Sequence, residues 1–311
     1  MVVPSPAMPD TRSPGASEIL SHFSFDVVWL AFAALLAAAY LRGYLACRQC
    51  GRRSCHPAWR LAAFGGGLVV MLIAVLSPLE YYGNRLLWVN FTGFLVLTMI
   101  AAPLLVLGAP VTLAFRTLGP TGRRRLRTAI RSLPAAALTF PLFTWLAFAV
   151  VTYVWQFSGL TDLAARHAPV RDLQLFTLLA VSVLFWLPAI QADPLRWRPG
   201  YPGRALYVFV EMTHKGLFGG MFLSMSQTFH DRMARDLPAW GPSPMTDQRI
   251  AILILWIGGN LVFLLALVLI IAGWFRFETR HARRVDFHLA RLREARRKHE
   301  AALQQVFRKT I

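Results

Sequence analysis

Acidic residues are scarce in this 311-residue chain: 15 Asp and Glu stand against 33 Lys and Arg, for a net charge of +18. The motifs of the common enzyme classes are missing as well. There is no P-loop, no G-x-S-x-G, no H-E-x-x-H and no pair of catalytic carboxylates, and the glycine groups that approach G-x-G-x-x-G lie in apolar runs, where glycine serves helix packing. No internal repeat of the kind that marks many secondary transporters stands out. Nor is there a polar stretch long enough for a separate catalytic module or a nucleic-acid recognition element. The positive charge therefore reads as a membrane-topology signal with attraction to anionic lipid, and nucleic acid is excluded as a partner.

What the chain has in abundance is long apolar runs. Seven lie near 27–46, 61–79, 88–112, 135–157, 173–190, 204–226 and 250–275, each close to the ~20 residues a helix needs to cross the hydrocarbon core. They are too continuous for the alternating pattern of a membrane barrel, so helices are the way to satisfy their backbone in lipid. The expected fold is an all-α membrane protein of seven transmembrane helices. Of the 33 basic residues, 25 fall in the loops after the first, third and fifth runs and in the tail after the seventh. Positive loops stay cytoplasmic, which predicts an outside N-terminus and a cytoplasmic C-terminus, in a multi-pass protein of the bacterial plasma membrane. Residues 1–24, rich in proline, read as a disordered lead without a cleaved signal. The seven-helix domain covers 25–275. Residues 276–311 form a basic amphipathic tail on the cytoplasmic surface, with Val285, Leu289 and Leu292 sharing a face and anionic lipid as partner.

The three cysteines fall within nine positions, as Cys47, Cys50 and Cys55, with His56 following. Their spacing could hold zinc or Cu(I), but adjacent Cys55 and His56 cannot easily face one ion and the second half of a zinc motif is missing. Reduced thiols in a cytoplasmic loop are the plainer expectation. In the sixth run Glu211, His214 and Lys215 share a helix face. Ionisable groups at membrane depth face a partner or a water-filled cavity; here they form either a mutual Glu211–Lys215 pair or an intramembrane relay. Toward the outside follow Met221 and Met225, one turn apart, and then His230. These neutral ligands suit Cu(I), while methionines that simply pack are the alternative. Gly216, Gly219 and Gly220 predict close approach of another helix.

The stretch SPLEYYGNRLL at 77–87, LLVLGAP at 104–110, LFWLPAI at 184–190, the arginine loop with Tyr201 and Pro202, and PMTDQRIAILILWIGG at 244–259 together resemble the CtaG-type family of cytochrome c oxidase assembly proteins, the seven-span Gram-positive kind. The residues that carry the likeness are Ser77, Pro78, Leu79, Gly108, Pro110, Asp247, Gln248 and Trp256. The resemblance implies a non-enzymatic role: aiding copper delivery or insertion into a haem–copper oxidase on the extracytoplasmic side, with oxidase subunits as partners and Cu(I) as the possible metal. The departures are specific. Where the family usually has a histidine pair at the start of the third span, this chain has Asn90 and Phe94. Where a further histidine is common at the start of span five, it has Arg171, Asp172 and Gln174, with His167 the nearby imidazole. Two rival readings follow: a transporter that uses Glu211, His214 and Lys215, and a metal-free scaffold for oxidase subunits. A retinal protein built on Lys215 is disfavoured by that lysine's place in the sixth span.

Overall fold

The computed structural model describes residues 15–21, 23, 25–49, 56–228 and 237–310, and these are helical with no strand among them. A helix forms over every apolar run. Five are long and apolar enough to cross a membrane: Val27–Gln49, Ala58–Leu76, Leu87–Thr117, Ala168–Ile190 and Pro244–Arg283. The fourth run yields a shorter apolar helix, Pro141–Gln156. It is preceded by Leu133–Leu138, from which a break at Thr139 and Phe140 separates it. The sixth run yields Tyr201–Leu223, which is long but carries Arg204, Glu211 and Lys215 and so falls outside that group. Leu35, Val69, Leu142, Leu206 and Leu217 are among the many large apolar side chains that face outward, as hydrocarbon solvent allows.

A short helix, Ala16–Ser21, lies in the segment expected to be disordered, with Glu18 in its first turn, where the helix dipole favours a negative charge. Much of the remaining lead, from 1 to 14, is outside the described residues. The described chain divides into two compact units, one reaching to Leu264 and one from Leu265. The second is helical to Thr310, and in it Leu289 and Leu292 are exposed.

The third span is the central one, with 56% of its apolar window buried against 22% for the first. It is also irregular, and its irregularity is written in proline and glycine. From Val96 to Ala101 the helix takes a π turn, so that the Ala102 N–H bonds to Leu97 O, five residues back. In that register Thr98 O would need the N–H of residue 103, but Pro103 has none. The orphaned carbonyl is satisfied from outside, by Trp186 Nε1 at 3.0 Å. Trp186 is held against Phe263 and Phe185 by ring contacts at 5.7 and 5.5 Å.

The helix stops at Leu107 and restarts at Pro110, because Ala109 is left-handed with φ 50°. The stop is built to be tight. A Cβ on Gly108 would lie 2.7 Å from Phe64 Cβ, and Gly108 O accepts from Tyr40 Oη at 2.8 Å. His56 Nε2 lies 2.8 Å from that hydroxyl and 3.1 Å from the same carbonyl, a pattern that fits an Nε2–H tautomer. The helix Ala168–Ile190 contains Pro188, and its last carbonyls are met by the next helix. Arg204 Nε donates to Ala189 O at 2.7 Å and Nη2 to Ile190 O at 3.4 Å, answering two of the unpaired groups that every helix end leaves, and Tyr207 Oη donates to Phe185 O one turn earlier at 3.0 Å.

Candidate functional site

Helix Tyr201–Leu223 buries one polar stripe. Glu211 is 1% exposed and Lys215 is also buried, while His214 is partly buried. The expected mutual pair is not made: among the described residues no ion pair joins Glu211 to Lys215. The Lys215 side chain instead extends between neighbouring helices, with Nζ 5.2 Å from the ring centres of Phe148 and Phe263 and 5.8 Å from that of Phe94. Ring faces attract an ammonium group at such distances. Glu211 turns toward His214, whose Nδ1 is 3.4 Å from Oε2, too long for a good hydrogen bond. Both Glu211 oxygens and Lys215 Nζ therefore lack a hydrogen-bond partner within the protein. His214 is itself framed by the rings of Trp145, Tyr153 and Phe218 at 4.9 to 5.3 Å.

These groups line one cavity of about 20 Å³ together with Thr152, Tyr153 and Trp256, room for about one water-sized group. Its far wall is the π-helical stretch Ile254–Gly258, which carries Trp256. Trp256 seats on the glycines of the facing helix: a Cβ on Gly219 would fall 2.8 Å from Trp256 Cγ, and one on Gly216 would fall 3.6 Å from Nε1. The close approach expected from the glycines is thus made at Gly216 and Gly219, whereas Gly220 faces open space.

A second polar centre ties three segments at one end of the bundle. Arg171, at the start of Ala168–Ile190, holds Asp26 and Glu80, each at 2.7 Å, and lies 3.6 Å from Asp172. Asp172 in turn accepts from Trp29 Nε1 at 3.1 Å. Beside it is a cavity of about 60 Å³ lined by Asn84, Asn90, Phe94, Gln156, Arg171 and Gln174, among others. The positions at which the resembled family carries histidines, distant in sequence, thus meet in one place. Here they offer amides and a guanidinium, with neither imidazole nor sulfur, a donor set that does not suit Cu(I).

The sulfur donors lie elsewhere. Helix Tyr201–Leu223 ends before Met225, so Met221 and Met225 do not continue one helical face as expected; both are partly exposed, at 46% and 40%. His230 falls outside the described residues. Among the described residues there is no group of three or more His, Cys, Asp or Glu that could hold a metal ion. Cys47 is disulfide-bonded, not the reduced thiol expected. Cys50 and Cys55 lie outside the described residues.

The family-signature residues are joints rather than ligands. Ser77 Oγ accepts from Leu79 N at 3.2 Å and starts the short helix Pro78–Gly83. Gly108 and Pro110 flank the helix break, and Gln248 Nε2 donates to Gln227 O at 3.1 Å. Asp247 accepts from the N–H of Leu87 at 2.8 Å and of Trp88 at 3.3 Å, capping the start of the third span from a different helix. The same device recurs at Asp193, for which no sequence motif gives a role. Its carboxylate takes Thr112 N at 2.6 Å, Thr112 Oγ1 at 2.7 Å and Val111 N at 3.3 Å, capping the helix that restarts at Pro110. A single carboxylate among the arginines of that loop, just before Pro194, was the available signal.

The model of the family described as cytochrome c oxidase caa3 assembly factor matches residues 38–277. An uncharacterized protein of Mycobacterium bovis and one of Mycobacterium tuberculosis are each 30% identical over 286 residues, covering 89% of this chain and 43% of the relative. One from Mycobacterium leprae is 28% identical over the same length. The chain spans less than half the length of these curated relatives. No solved structure matches it.

Proposed function

Since the chain belongs to the cytochrome c oxidase caa3 assembly factor family, we propose that it assists the maturation of a haem–copper oxidase in the bacterial plasma membrane, binding oxidase subunits without catalysing a reaction of its own. The observation that carries this reading is the placement of the family match. Residues 38–277 include the signature joints at Ser77, Gly108 and Asp247 that shape the central span. In this reading all seven helices cross the bilayer with the N-terminus outside, and the basic tail rests on anionic lipid at the cytoplasmic face.

The finer proposal is copper delivery on the extracytoplasmic side, with copper as cargo. Met221 and Met225 support it by their exposure on either side of the helix end at Leu223, where thioethers could take up Cu(I) in preference to zinc, with His230 as the third donor. The test has two arms. In a deletion strain, an oxidase that keeps its subunits but lacks copper supports delivery, and one that lacks a subunit favours a scaffold. In the purified protein, Met221→Leu with Met225→Leu keeps volume and apolarity; unchanged copper content and oxidase assembly would sink the copper proposal and leave the scaffold.

A second reading rests on the cavity lined by Glu211 and Lys215, whose polar atoms have no hydrogen-bond partner within the protein, which would suit an ion or small-solute pathway. Uptake by sealed vesicles containing the purified protein, lost in Glu211→Gln, would support that reading over assembly.

A further inference from the structure

Four arginines from three separate segments line one cavity of about 470 Å³. Arg116 comes from the last turn of Pro110–Thr117, Arg127 and Arg131 lie one turn apart on Pro120–Arg131, and Arg196 follows the end of Ala168–Ile190. The volume falls in the range of small-molecule sites, about 300–1,000 Å³. No ion pair or hydrogen bond joins any of the four guanidinium groups to a carboxylate among the described residues. Asp193, the acidic residue of the loop that carries Arg196, is 1% exposed and is engaged with the N–H groups of Val111 and Thr112. Four like charges around one concavity repel each other and raise its potential, and an anion relieves both effects. Guanidinium groups in particular match the oxygens of a phosphate in paired hydrogen bonds.

The remaining wall is mostly apolar, with Thr112 its one hydroxyl, which is engaged with Asp193. Phe115, Ile130 and Leu195 share the lining, so the cavity offers an apolar side to whatever carries the anionic group. It lies where the third and fifth spans end, on the face that the basic-residue count assigns to the cytoplasm. A membrane lipid meets both conditions at once, with a phosphate at the level of the arginines and glycerol and acyl carbons against the apolar wall.

We propose that this cavity is a binding site for a phosphate-bearing anion, supplied by the headgroup of an anionic phospholipid. It is distinct from the diffuse attraction of the basic tail, because it depends on four named residues and not on net charge.

The experiment uses the full-length protein purified in detergent, with the retained lipid identified by native mass spectrometry and thermal stability followed on adding lipid. The probes are cardiolipin, phosphatidylglycerol, phosphatidylcholine and, as the soluble source, inorganic pyrophosphate. The variant is Arg127→Gln with Arg131→Gln, on an exposed helix face where neither side chain supports the fold. The control is Arg124→Gln with Arg125→Gln, which removes the same charge from the same helix outside the cavity. The expected result is retention and stabilisation by the anionic lipids but not by phosphatidylcholine, with affinity at least about tenfold weaker in the cavity variant and near wild type in the control. Equal losses in variant and control, or none in either, would overturn the site. Stabilisation by pyrophosphate and not by lipid, lost in the variant, would overturn the lipid source and assign the cavity to a soluble phosphate.

Discussion

Asp247 caps a helix that begins 160 residues before it: its carboxylate receives the N–H of Leu87 at 2.8 Å. The Leu86 side chain at the cap position cannot do this, so the start of the central span depends on a group from another part of the chain. Replacement by alanine leaves the N–H groups of Leu87 and Trp88 without that acceptor in a buried place, and a cost of about 2 kcal/mol is expected. Asp247→Asn, which keeps one acceptor oxygen, should lose less. Thermal unfolding of both variants in one detergent checks the order, and an alanine variant as stable as wild type would contradict the cap.

Gly219 and Gly220 make a matched pair for a packing test. A methyl group on Gly219 meets Trp256 Cγ at 2.8 Å, while one on Gly220 meets nothing within 4 Å. Gly219→Ala should cost about 1–3 kcal/mol, and Gly220→Ala should be neutral or slightly stabilising, since alanine favours helix over glycine. Equal melting temperatures for the two would disprove the seat of Trp256.

Acid should weaken the knot at the helix break. Burial pushes the His56 imidazole below its ordinary range, with the charges of Arg60 and Arg116 adding to the effect against the opposing bond to Gly108. The unfolded chain then binds the proton more readily than the folded one, so stability is full above the unfolded pKa of about 6.5 and declines as pH falls below it. His56→Gln should flatten that decline between about pH 7 and 5. Melting temperatures of wild type and variant across this window provide the measurement, and parallel curves would exclude His56 as the source.

Lys215→Met removes a buried ammonium that no carboxylate neutralises by direct contact, and replaces it with an apolar chain of similar length. The variant should fold at least as stably as wild type, because burying an unpaired charge is costly. A clear fall in melting temperature would mean that the contacts with Phe94, Phe148 and Phe263 outweigh desolvation. Oxidase assembly measured in the same variant separates a functional role for the charge from a structural one.

Orientation rests on arginine distribution. Reporter tags after Ile311 and in the 116–131 segment should read cytoplasmic, and one between 237 and 243 should read extracytoplasmic. An opposite signal from any of them breaks the seven-span topology.

The helices were legible because hydropathy and length act locally, and every apolar run is helical, although the third and fourth are broken within by turns at Ala109 and Thr139. What stayed hidden was every feature that depends on a distant partner. Glu211 and Lys215 sit at the spacing of an ion pair, yet the long lysine side chain found three phenylalanines from three other parts of the chain. Asn90, Phe94 and Gln174 looked only like lost ligands until folding brought them around one cavity. Asp193 looks like an ordinary loop residue and Asp247 stands out only by the family likeness, while their roles belong to helices that begin at Pro110 and Leu87. The end of the sixth helix was misplaced by a few residues, which took Met225 off the face it was expected to share with Met221.

The bond from Trp186 to Thr98 O sets the vertical alignment of two membrane helices. Apolar surfaces in lipid can slide past each other at little cost, since one leucine contact much resembles the next. A carbonyl deprived of its own helix partner by Pro103 is different, for it occurs at one height only, and an indole N–H shifted by a turn would miss it by about 5.4 Å. The third and fifth spans therefore carry a key and a notch, and the bundle has one seating in which both polar groups are answered.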